Sequence, residues 1–339
     1  MRLPPKWFRR VVLAPAVVVL TVLLLLTCPL WLLVAAVISP VIPGKWRPLR
    51  VLWMVLLYLL LESAALVALF VLWIASGFGR NLRTPTFERT HYDLVQTLLR
   101  VLYNEAVRVL GVSVIVQGPA PSEFDGRPLV VFSRHAGPGD SFLIVHALLS
   151  WYDREPRIVL KDTLQWDPAI DVLLGRLPNR FIRPQPGRGG DLVEAQIREL
   201  ATGLDDNDAF VIFPEGGNFT EQRRARAIAR LRERGLLGEA EKAERMRHVL
   251  APRPGGVVAA LSAAEDADVV WVAHSGLEHV VSVLDLWRAL PVDTPITMRW
   301  WHVPRDDVPE DRADRIEWLY EWWGRIDGWI GEQVGEEAR

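Results

Sequence analysis

The sequence predicts an α/β protein, with a central, mostly parallel sheet flanked by helices and preceded by an N-terminal helical membrane hairpin. Three observations predict it: two long apolar runs confined to residues 1–80, a switch near residue 90 to short β-rich runs alternating with helical periodicity, and a partition of charge between the two regions. Residues 1–80 carry eight Lys/Arg against one acid, Glu62, a net +7 that leaves −9 for the rest of a chain whose total is −2. Half of the 339 residues are hydrophobic and 24% are charged, which fits neither a disordered protein nor a basic nucleic-acid binder. The single cysteine, Cys28, lies in the apolar head, so no disulfide framework, cysteine zinc site or cysteine nucleophile is expected. Seven scattered histidines without H-E-x-x-H give no support for a metal; His274 and His279 read as ordinary strand-end and loop residues.

Within the head, residues 11–39 hold no charge over 29 positions, roughly 44 Å of helix against the ~30 Å of a bilayer core. A cleaved signal peptide fits poorly, because Pro40, Pro43 and basic residues follow where a small-residue cleavage site belongs. The second run, 51–76, is interrupted only by Glu62, which is costly in lipid unless neutral, paired or near water, so it spans less securely than the first. Either both runs cross, or they form a hairpin that enters and leaves one leaflet with kinks at Pro15, Pro29, Pro40 and Pro43. Seven basic residues flank the outer ends against three in the loop 40–50, which places the body on the cytoplasmic side in both cases. The expected division is a membrane-anchoring segment at 1–80 (apolar helices 11–39 and 51–76), a body at 81–310 and a Trp-rich C-terminal helix at 311–339.

In the body, strands are expected at 112–117, 128–133, 156–160, 180–183, 209–213, 269–273 and 296–303. Helices are expected at 90–110, 140–151, 166–175, 190–201, 220–235, 255–265 and 311–333. Seven of the fifteen tryptophans fall between 287 and 329, and those in the last helix recur at helical spacing. That helix either covers the sheet or lies in the membrane interface.

Two strand ends carry candidate chemistry. The run VVFSRHAGPGDSF ends a buried strand at Ser133, presents His135, turns through Gly137-Pro138-Gly139 and opens a helix at Asp140. An imidazole can take a proton from a hydroxyl near neutral pH, and a carboxylate on its other nitrogen fixes the tautomer and stabilises the imidazolium. Without a Ser or Cys nucleophile, this pair suits direct attack by a substrate hydroxyl, although the spacing alone is equally that of a helix-capping Asp beside a surface His. The run AFVIFPEGGNFTEQRR ends a second strand in the turn Pro214-Glu215-Gly216-Gly217. A third stretch, LPNRFIRPQPGRGG, gathers Arg180, Arg183 and Arg188 before a Gly-rich helix start, chemistry suited to a phosphate or to solvated arginines.

In this order the blocks resemble the glycerolipid acyltransferase family that includes the 1-acylglycerol-3-phosphate acyltransferases: H-x4-D at His135 and Asp140, Phe181-Ile182-Arg183 with Gly175 upstream, and F-P-E-G at 213–216. FPEGGNFTEQRR followed by HVLAPRPGG is similar to the eukaryotic-type lysophosphatidic acid and lysocardiolipin acyltransferase branch. The resemblance covers roughly 90–310 and implies a glycerol-3-phosphate acyltransferase-like fold. It further implies a membrane-bound O-acyltransferase forming phosphatidic acid in phospholipid biosynthesis, from a lysophospholipid acceptor and an acyl-CoA or acyl carrier protein donor, with no cofactor and no nucleic acid. His135 would be the general base and Asp140 its orienting partner. Arg183 would bind the acceptor phosphate, with Glu215 and Gly216 shaping that pocket and Lys161, Arg180 and Arg223 nearby. Remodelling of another lysophospholipid and a catalytically silent, membrane-tethered lipid-binding protein are the alternatives. Three departures from the family pattern stand out: Arg134 stands where Asn is usual before the histidine; Gly217-Asn218 replace the common Thr-Arg, a lost basic residue that Arg223, Arg224 or Arg253 could cover; and VVWVAHSGLE lacks the proline expected in the later hydrophobic block.

Overall fold

The first apolar run does not form one helix. In the computed structural model, which describes residues 3–124, 126–182, 190–276, 283–292 and 294–337, a helical segment Lys6–Leu26 stops at Thr27 and a separate helix, Cys28–Ile38, follows. Pro29 accounts for the break, because it has no N–H for the Leu25 carbonyl and its ring displaces that carbonyl. Thr27 sits at φ −95°, ψ 0°, and its hydroxyl donates back to the Leu23 carbonyl at 2.9 Å. The second run is a single helix, Arg47–Ala75, of 29 residues. Lys6–Leu26 and Arg47–Ala75 are both long and apolar enough to cross a membrane. Val19, Leu23, Leu26, Leu33, Phe70 and Val71 stand exposed along these helices, an apolar surface larger than a water-soluble monomer tolerates.

These helices belong to a compact unit formed by residues 1–113, 160–184 and 282–294; residues 114–159, 185–281 and 295–339 form the second. The boundaries therefore differ from a division at residues 80 and 310: helix Pro168–Leu174 sits with the apolar head, and the last helix sits with the second unit. The reason is a set of polar pins inside the first unit. Asp171, fully buried, receives Arg9 Nη2 at 2.7 Å and Arg10 Nε at 3.3 Å. The Tyr58 hydroxyl donates to Asp167, and Arg176 Nη1 donates to the Leu69 carbonyl at 2.8 Å. The same guanidinium lies 3.2 Å from His91 Nε2; burial, reinforced by that positive charge, holds the His91 imidazole below its ordinary value. Ala14, Ala65, Leu66 and Ala169 pack as one apolar cluster. Glu62 is buried on the same helix among Ser63, Ala65, Leu66 and Leu69, enclosed by protein.

The sheet has the order β1-β7-β6-β2-β5-β3-β4, with β1 Val114–Gln117, β2 Leu129–Ser133, β3 Glu155–Lys161, β4 Arg180–Ile182, β5 Asp208–Ile212, β6 Asp268–Ser275 and β7 Ile296–Val303. β2 is parallel to β5 and β6, β5 to β3 and β1 to β7; β6 and β7 run antiparallel. The expected mostly parallel, helix-flanked sheet is what forms. β2, β5 and β6 are buried along their whole length, as continuous hydrophobic runs with helices on both faces require.

Alternation along β6 assigns the two faces. Trp271 packs against Trp318, Trp322 and Trp323 of the last helix, Arg312–Glu337. Leu319, Trp323, Ile326 and Ile330 of that helix are fully buried. The Trp-rich helix thus covers the sheet. Its polar groups also grip a connecting segment: Asp327 accepts the backbone N–H groups of Arg247 and His248 at 2.8 and 2.6 Å, and Trp323 Nε1 donates to the Leu250 carbonyl at 3.0 Å.

The buried Arg9–Asp171 pair is expected to be costly to break, because removing one partner leaves an uncompensated buried charge. Asp171→Ala should destabilise the first unit by about 3–5 kcal/mol, read as a lower Tm in detergent and as new protease cuts near residues 9–10 and 168–174.

Candidate active site

The site forms where three adjacent parallel strands end. In register, Phe132 of β2 faces Ile212 of β5, and Ser133 faces Val272 of β6. The chain leaves β2 through Arg134-His135 and leaves β5 through Phe213-Pro214-Glu215, so two turns widely separated in sequence lie side by side. The carboxyl edge of a parallel sheet is where α/β proteins place ligands.

His135 is held at every point but one. Its Nδ1 lies 3.0 and 3.1 Å from the two Asp140 oxygens. Its ring packs on Phe213 with centroids 4.7 Å apart. Its backbone N–H donates to Glu215 Oε1 at 3.1 Å, and its carbonyl accepts the Phe219 N–H at 3.0 Å. Nε2 has no hydrogen-bond partner among the described residues and is the nitrogen available to a substrate. Asp140 caps its helix as well: Oδ2 accepts the backbone N–H groups of Ala136 at 2.7 Å and Gly137 at 3.0 Å, and Ser141 Oγ donates to Oδ1 at 3.3 Å. Capping and pairing with the imidazole are one arrangement here. Burial would push the Asp140 carboxyl up, but the pull of His135 and His274 outweighs it and holds the group well below the ordinary carboxylate range.

Glu215 faces inward. Its two oxygens accept the His135 N–H and the Leu250 N–H, at 3.1 and 3.0 Å, so it joins the β2 end, the β5 turn and the 247–250 segment. Burial pushes its carboxyl up to about 7, against the opposing pull of Arg134 and the two backbone donors, while the Asp140 charge adds to the rise. Arg134 is buried beside it, with Nη1 on the His274 carbonyl at 2.6 Å and Nη2 on the His248 carbonyl at 3.0 Å.

Gly216 has φ +66°, a conformation that suits glycine, and a Cβ there would stand 2.8 Å from Arg253 Cζ. The Arg253 guanidinium therefore lies directly over the turn. It makes no hydrogen bond or ion pair among the described residues, while its backbone N–H is tied to the Pro214 carbonyl at 2.9 Å. The other two arginines considered for this role are occupied: Arg223 Nη1 donates to the Asn218 carbonyl at 3.0 Å, and Arg224 donates to the carbonyls of Met246 and Glu244 at 2.6 and 2.8 Å.

The structure thus brings His135, Asp140, Glu215 and Gly216 together, with Arg223 fastening the end of the same turn. Lys161, exposed, and Arg180, half-buried, belong to the first unit. Arg183, Arg188 and His279 lie outside the described residues. Arg253 was one of three arginines that the sequence offered for the turn; Arg134 and His274 were not expected to belong to this cluster. His274 was legible in part, since it follows a predicted strand directly, but its nearness to Asp140 depends on the β2–β6 register.

Glu215→Gln should destabilise the second unit by about 1–3 kcal/mol, because an amide NH2 then opposes a backbone N–H. In the wild type, folding retains a proton that the unfolded chain releases between 4.5 and about 7, so this group's contribution to stability falls as pH rises through that window. Tm measured between about pH 5 and pH 8 should show the decline reduced in the Gln variant.

Residues 106–275 match the acyltransferase family model. The chain is similar to the crystal structure of the 1-acyl-sn-glycerophosphate (LPA) acyltransferase PlsC from Thermotoga maritima, at 16% identity and a TM-score of 0.49, over 84% of this chain and 98% of that one. No curated protein gives a significant match. With half of its length, including both the His135–Asp140 turn and the Phe213–Gly216 turn, inside the matched region, the chain belongs to the acyltransferase family.

Proposed function

We propose that the protein transfers a fatty acyl group from a thioester, acyl-CoA or acyl carrier protein, to the free hydroxyl of 1-acylglycerol-3-phosphate, forming phosphatidic acid at a membrane surface. The observation that carries this reading is the His135–Asp140 pair, whose Nε2 has no hydrogen-bond partner among the described residues. His135 Nε2 takes the proton of the acceptor hydroxyl as its oxygen attacks the thioester carbonyl. The new C–O bond forms, the C–S bond breaks, and the imidazolium returns its proton to the leaving thiolate. Asp140 holds the Nδ1 proton in place and stabilises the imidazolium, as a buried carboxylate does in hydrolytic triads.

An anionic headgroup is supported by Arg253, a guanidinium over Gly216 with no hydrogen bond or ion pair among the described residues. A guanidinium presents donors in a fork matched to phosphate oxygens. Arg183, Arg180 and Lys161 enter as phosphate contacts through the family resemblance. The two apolar helices support an integral membrane protein, and the charge asymmetry of the head supports a cytoplasmic catalytic unit.

The test is acyl transfer by detergent-purified protein to a panel of lysophospholipids, with CoA and carrier-protein donors, following both thiol release and diacyl product. Wild type should acylate lysophosphatidic acid, and His135→Ala should lose at least about 10³-fold in kcat/KM. Asp140→Asn should lose activity with KM for the acceptor little changed. A preference for another headgroup would move the reading to lysophospholipid remodelling. Lysolipid binding without thiol release on any acceptor would identify a lipid-binding protein that keeps the fold.

A further inference from the structure

We infer that His274 is a positioning residue for the His135–Asp140 pair: a second imidazole that faces the same carboxylate and moderates its pull on His135. The inference rests on the reading of His135 as general base. Four observations carry it. β2 ends at Ser133 opposite Val272, so β6 runs on past the strand end, and His274 stands where the His135–Gly139 turn begins. Alternation turns His274 to the face opposite Trp271, and its Nε2 lies 3.4 Å from Asp140 Oδ2. Its side chain is 2% exposed, and neither ring nitrogen has a hydrogen-bond partner among the described residues, so the approach of Nε2 to Asp140 is a polar contact still open to shortening. Its backbone is fixed from the other side by Arg134 Nη1 on its carbonyl at 2.6 Å.

A buried imidazole with two unsatisfied nitrogens costs stability unless one of them meets a partner. Asp140 is the partner within reach. Oδ2 already accepts two backbone N–H groups and shares His135 Nδ1, so an N–H from His274 spreads the carboxylate charge further. A carboxylate with fewer donors is a stronger base toward the remaining one. Without His274, Asp140 would hold the His135 imidazolium more tightly, and the free base would form only at higher pH. The other charged groups around the pair are Glu215, on the His135 backbone, and Arg134, beneath both; neither touches the Asp140 oxygens.

The experiment compares kcat/KM against pH for wild type, His274→Leu, His274→Gln and His135→Ala. His274→Leu should move the acidic limb upward by about half a pH unit or more. His274→Gln, which keeps an N–H donor of similar reach, should return the limb toward wild type. Equal losses in the Leu and Gln variants with the limb unmoved would make His274 a packing residue and overturn the inference. Full activity in His135→Ala would instead overturn the general-base reading, and it is seen independently of any His274 variant. If the Leu variant does not fold, 15N-histidine NMR of the wild type, assigned with His274→Gln, decides the matter. A proton on Nε2 supports the inference, and a proton on Nδ1 alone overturns it.

Discussion

Glu215 is the constraint on which the geometry of the site depends, because one buried carboxyl joins the ends of two paired strands, β2 and β5, to the 247–250 segment. Its oxygens hold the backbone of His135 and of Leu250, while its own turn is tied through Pro214 to Arg253. Remove those bonds and the His135 backbone loses its link through Glu215 to the 247–250 segment. The last helix completes the arrangement from behind: Asp327 and Trp323 fix residues 247–250, and that segment in turn presents the N–H that Glu215 requires. The distant C-terminal helix therefore reaches the histidine through three hydrogen bonds, Trp323 to Leu250, Leu250 to Glu215 and His135 to Glu215.

The first unit solves a different problem. Apolar helices attract one another weakly in lipid, so specific packing there relies on small residues and polar bonds. Ala14, Ala65 and Ala169 supply the first, and the Ser63–Thr21 hydrogen bond at 2.8 Å supplies the second. Around Asp171 the helix start, rich in positive charge, meets a carboxylate fixed in the protein. The basic residues Arg9 and Arg10, which a topology argument counts only as orientation signals, are structural here.

Much of this was legible in the sequence, for identifiable reasons. Strands 129–133, 208–212, 268–275 and 296–303 are short apolar runs bounded by turn residues, and they form within a residue or two of expectation. His135 and Asp140 were legible as a pair at a strand end, where their spacing equally suited a helix-capping Asp beside a surface His, and only the family resemblance singled them out. What was not legible depended on register and long-range contact. Nothing local announces that Arg134 would be buried under the site, that Arg253 would cross over Gly216, or that His274 would reach Asp140. The break at Thr27 was legible only in the hairpin reading, which put a kink at Pro29; an unbroken apolar run otherwise hides a helix end when the signal is one proline two residues beyond it. The tryptophans of 318–329 suit either an interface or a sheet, and Trp271, in a different strand, decides between them.

The Arg9–Asp171 pair also bears on how such a protein can be handled. Membrane enzymes are often made soluble by deleting an N-terminal anchor and expressing the remainder. Here that deletion would take away both guanidinium partners of the Asp171 carboxylate, and it would uncover the apolar side of Ala169 and its neighbours. The apolar head is a wall of the unit to which helix Pro168–Leu174 belongs, so a version without it would need new surface at Asp171 and Ala169.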